Sequence, residues 1–194
     1  AETFRLDALL GSLAPHEWDT PVNLRWHSGS RRMTLCGVLA HLGSTDGLVG
    51  SALDLPDPLG PGAPRGLLAR TEAAAAHCKT RTPEEVRHRW RSQAQALVRT
   101  ASSAGEAAAE QQVDYGGAFK LPLRDAFLDR AFACWIHACD IAEAVDYPYE
   151  APAPEHLHAM IDYHARLLPL AVAGRRRRGM AESAARLVEA GAPG

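Results

Sequence analysis

The stretch FACWIHACDI, residues 132–141, places two cysteines, a histidine and an aspartate inside an apolar segment. Such residues ligate metals, run thiol redox chemistry, or line the buried side of a helix. Spacing narrows the choice. Cys134 and Cys139 are five apart and diverge on a helix, and no CxxC pair occurs among Cys36, Cys78, Cys134 and Cys139. Reduced thiols are therefore expected rather than a local disulfide. On the same helix Arg130, Ala133 or Cys134, His137, Asp140 and Ala144 recur every three or four residues and share one side. Inward imidazoles and carboxylates on facing helices are a common way for helical bundles to build metal sites.

A facing helix must supply further ligands, and His41 is the candidate. It sits in GVLAHLGSTD among Val38, Leu39 and Leu42, with Asp46 five residues on. Taken singly, each residue also has a plain reading. A lone histidine on an apolar face is more often a hydrogen-bonded core residue than a ligand, and free cysteines are commonly small core hydrophobes. Arg130 with Asp140 or Asp125 reads as an ion pair on or near the helix surface. His156, His158 and His164 lack the HExxH spacing and read as solvated or capping residues. Ser28, Ser30 and Ser44 lack a nucleophile elbow, and no glycine-rich phosphate loop is present.

The elements that must position these groups are helical. Phe4, Leu6, Leu9, Leu10 and Leu13 predict a first amphipathic helix, followed by a connection through Pro21. Thr34 caps a second helix running to Leu53, whose glycines call for close approach of another helix. Residues 54–66 form a proline and glycine linker. Thr82, Pro83, Glu84 and Glu85 open a third helix over about 83–103. Residues 105–122 read as a loop, and Leu123–Val145 as a fourth helix. EHLHAMIDYHARLLPLAV and MAESAARLVEA are later helical segments, separated by the arginine run 175–178. Alternating strand patterns are scarce. The expected fold is an all-α, antiparallel helical bundle with long crossover connections and additional C-terminal helices.

With 194 residues, 46% hydrophobic and 23% charged, the chain suits one core. Residues 1–174 are expected to form the bundle, and 175–194 a C-terminal helical tail leading toward a further segment. A net charge of −2 gives no basic field for nucleic acid. No run of eighteen apolar residues and no secretory start occurs, so a cytoplasmic protein off the membrane is expected. Lysine is confined to Lys79 and Lys120 against abundant arginine and alanine, a bias of GC-rich genomes.

MTLCGVLAHLGSTDGLV, followed some ninety residues on by DRAFACWIHACDIAEAV, resembles the mycothiol-dependent maleylpyruvate isomerase family of the DinB-like four-helix-bundle superfamily. The family marks are a histidine before leucine in the second helix, here Ala40-His41-Leu42, and the form R-x-x-E-x-W-x-H-x-x-D. Arg130, Trp135, His137 and Asp140 fall in register with that form, and HEWDTPV at 16–22 matches the family's opening. The resemblance implies a divalent metal, usually zinc, held by His41, His137 and a glutamate. It also implies mycothiol, the actinobacterial low-molecular-weight thiol, as cosubstrate for a transferase or isomerase acting on a small electrophile. The position of the glutamate is Ala133, which cannot bind a metal. Three accounts stand open. Cys134, one turn before His137, replaces the glutamate; Asp46 or Asp140 completes the site or, with Arg130, supports it from behind; or the metal is gone and the fold serves as a noncatalytic binding or regulatory protein, with a protein partner such as a transcription factor. A homodimer is compatible with each.

Overall fold

The computed structural model describes residues 1–26 and 29–177. Six helices carry the architecture: α1 (Glu2–Ser12), α2 (Leu35–Ser51), α3 (Leu67–Cys78), α4 (Pro83–Ser103), α5 (Leu123–Ala144) and α6 (Pro154–Arg177). Two antiparallel hairpins interrupt them, β1 (Pro21–Trp26) with β2 (Gly29–Thr34) and β3 (Gln112–Asp114) with β4 (Lys120–Pro122).

The capping signals act as read. The Thr34 hydroxyl accepts a hydrogen bond from Gly37 N at 3.1 Å, and Thr82 and Glu85 form a reciprocal capping box at the start of α4. The all-α expectation holds, with local differences. The connection before α2 is a short 3₁₀ turn, Pro15–Asp19, followed by the first hairpin, in which Val22 and Leu24 are fully buried. The loop before α5 holds a second 3₁₀ turn, Glu106–Glu110, and the short second hairpin. Residues 67–78 are a helix that the sequence reading passes over. Arg175 and Arg176, expected to separate two helical segments, continue α6. The segment MAESAARLVEA, with most of the tail assigned to 175–194, lies outside the described residues.

The main core joins α1, α2, α4, α5 and β1 through Leu6, Leu10, Leu24, Leu42, Trp90 and Ile141. A second cluster, including Val49, Leu97, Val113, Leu123 and Tyr163, seats the second hairpin and α6. Among the described residues no helix is long and apolar enough to cross a membrane.

α2 packs closely on α3, as its glycines require. A methyl group on Gly47 would stand 2.7 Å from Arg70 Nη2 and 2.8 Å from Pro58 Cδ. Arg70 is fully buried and donates to Ser44 O, Pro64 O and Asp57 Oδ1 at 2.9, 3.0 and 3.0 Å, tying α2, α3 and the linker together. Gly47→Ala is expected to lower stability by about 1–3 kcal/mol, because crowding this arginine outweighs the better helix propensity of alanine. Urea unfolding measures it, and an unchanged or raised midpoint contradicts this packing role.

Candidate functional site

α2 and α5 run antiparallel, with Arg130 at the level of Asp46 and His137 at the level of His41. Arg130 Nε donates to Asp46 Oδ1 at 2.8 Å, and both side chains are buried. Burial pushes the Asp46 carboxyl up, while the guanidinium beside it pulls the other way. The bland expectation paired Arg130 with Asp140 or Asp125 near the surface. Instead its partner is 84 residues away in the core, with Asp129 a second carboxylate at 3.8 Å, and Asp125 pairs with Arg166 of α6.

One helical turn along, the rings of His41 and His137 meet edge to face, with centroids 5.3 Å apart and planes at 79°. His41 Nδ1 lies 3.0 Å from Thr71 Oγ1, and that hydroxyl donates its single proton to Leu67 O. His41 Nδ1–H is therefore the donor, and the lone pair of the neutral ring sits on Nε2. His137 Nδ1 lies 3.0 Å from Asp140 Oδ2, where a carboxylate only accepts, so this ring too carries its proton on Nδ1 and its lone pair on Nε2. Burial, followed by the charges of His137, Arg130 and Arg31, holds His41 down to about 3. It is a neutral ring at physiological pH.

The family model described as the mycothiol maleylpyruvate isomerase N-terminal domain matches residues 1–142. The chain belongs to this family. Two crystal structures of mycothiol-dependent maleylpyruvate isomerase, one of them a histidine-to-alanine mutant, share the fold. The mutant aligns with a TM-score of 0.55 at 17% identity, and the other with 0.53 at 19%. Each alignment covers 72% of this chain and 56% of the solved one, so this chain spans little more than half the length of those proteins. No curated protein matches.

Within this member of the mycothiol maleylpyruvate isomerase family, the donors for a metal are fewer than the resemblance implies. Cys134, three residues before His137, is 2% exposed and turned toward α1, its Sγ 3.9 Å from Thr3 Oγ1. Burial first, then the Asp46 carboxylate, pushes its thiol up to about 12, so it stays protonated in the core. Asp46 is engaged by Arg130, and Asp140 orients His137 from behind. Ala133 offers only a methyl group. Among the described residues no group of three His, Cys, Asp or Glu side chains comes close enough to hold a metal. Two imidazoles fall one protein ligand short of a zinc centre of the usual kind. The structure thus brings together His41, His137 and Asp140, sets Asp46 and Arg130 beside them as a buried pair, and leaves Cys134 apart.

Sequence reading missed Thr71 on α3, which fixes the tautomer of His41, and Arg31 on β2, which adds the smallest of the effects that lower its pKa. No motif marks either residue. His164, read as solvated or capping, is half-buried; its ring lies tilted at 48° against Phe132 with centroids 4.0 Å apart, and its Nδ1 bonds the Met160 carbonyl.

Proposed function

We propose that this chain is the thiol-handling domain of an isomerase or transferase that uses mycothiol on a small electrophile, with the His41–His137 pair as its centre. The observation that carries this reading is the pair of imidazoles in contact, each anchored through Nδ1 so that Nε2 is the basic nitrogen. His137, backed by Asp140 in a His–carboxylate dyad, accepts the thiol proton at Nε2. The thiolate then forms a C–S bond to an unsaturated carbon of the electrophile. Breaking that bond after rotation releases an isomer and the thiol; losing a different group leaves a thioether. His41 stays neutral throughout and accepts a hydrogen bond at Nε2, so its neighbour gains a proton without a second positive ring beside it. No step is assigned to a metal, because the donor set does not complete one.

Turnover with mycothiol and a cis-unsaturated keto acid tests this. The protein should convert the acid in a thiol-dependent way, with His137→Ala reducing kcat/KM by about 10²-fold or more and Asp140→Asn by a smaller factor. Equal rates for wild type and His137→Ala would end the reading. A noncatalytic binding or regulatory role is the second reading, favoured by Ala133 at the glutamate position. Thiol binding without any turnover, in the presence of added zinc as well as without it, would select it.

A further inference from the structure

A cleft of about 350 Å³ opens between α2, α3 and α4, and neither His41 nor His137 lines it. Its volume is that of a small-ligand site. Leu39, Ala74, Val86 and Trp90, all buried, form an apolar floor. The rim is made by His77, Arg81, His88 and Arg89, and among the described residues no carboxylate lines the cleft. Glu84 and Glu85 line an adjoining depression together with Arg81, His88 and Arg89. Arg81 is positioned by donating from Nη1 to the His77 carbonyl at the end of α3, which holds its guanidinium at the mouth. An apolar floor under two guanidiniums suits a ligand with an apolar body and one anionic end, and disfavours both a neutral hydrocarbon and a cation.

We propose that this cleft binds a small amphiphilic carboxylate, its apolar chain on Trp90 and Val86 and its carboxylate between Arg81 and Arg89. The site is independent of the histidine pair and of the function proposed for it. Calorimetric titration of the whole chain with octanoate, octanol and octylammonium tests the assignment. Octanoate should bind at least tenfold more tightly than octanol, and added salt should weaken it. The double variant Arg81→Ala/Arg89→Ala should bring octanoate down to the octanol level. Arg89 is exposed and Arg81 half-buried, so thermal unfolding of the double variant accompanies the titration and should match wild type. Ala74→Leu, which fills the floor, should abolish binding of both. Octanol binding as tightly as octanoate, a preference for octylammonium, no binding of octanoate at millimolar concentration, or a double variant that binds like wild type would each overturn the proposal.

Discussion

Arg130→Met is expected to destabilise the protein by about 3–5 kcal/mol, the usual effect of removing one member of a buried ion pair. The methionine fills much of the space of the arginine stem but leaves Asp46, 4% exposed, without the guanidinium that compensates its burial. The loss is a large share of a domain stability of about 5–15 kcal/mol and should lower the melting temperature by about 10 °C. Asp46→Leu in the same background removes the stranded carboxyl and should restore most of the stability, because an apolar pair can replace a buried ionic one at little cost. Urea unfolding of the two single variants and the double variant decides it. A cost below 1 kcal/mol for Arg130→Met would show that the pair contributes no more than an exposed one.

The second large effect is acid sensitivity set by His41. Its folded-state pKa is depressed to about 3 from the usual 6.5 by burial and by the neighbouring cationic and imidazole groups. A base whose folded pKa is lowered takes up its proton in the unfolded chain first. Unfolding therefore gains protons between these two values, and stability falls as pH drops from 6.5 toward 3. At pH 5 the contribution of His41 alone is a loss of about 1–2 kcal/mol relative to pH 7. His41→Gln, which retains a neutral hydrogen-bonding group, should flatten the curve over this window. Stability measured from pH 7 to pH 4 in both proteins gives the difference directly. Parallel curves would mean that His41 titrates normally and that its burial is not felt.

These effects show how differently the parts of the molecule were legible. α4 was readable to the residue, because its Thr82-Pro83-Glu84-Glu85 start is a local hydrogen-bonding device that acts within one turn. The first hairpin was also written locally, in the alternation of Val22 and Leu24 with Asn23, but a stretch so short between helices is easily taken for a connection. α3 escaped for a different reason. Two of its buried positions are Arg70 and Thr71, so the face that packs on α2 is polar, and no apolar stripe announces it.

At the candidate site the sequence alone put His137 and Asp140 on one side of one helix, and left Asp140 open as a ligand, an orienting partner or the partner of Arg130; the structure pairs it with His137. The family resemblance named His41 as its companion, and the two rings meet between α2 and α5. Only the tertiary structure decided which carboxylate compensates Arg130, because that partner lies on another helix and no local rule selects it. The fate of Cys134 was decided the same way. Ala133 and Cys134 both precede His137 by about one turn, yet successive residues are rotated by about 100° around a helix. That single step turns the Cys134 thiol toward Thr3 of α1, and leaves only a methyl group at the preceding position.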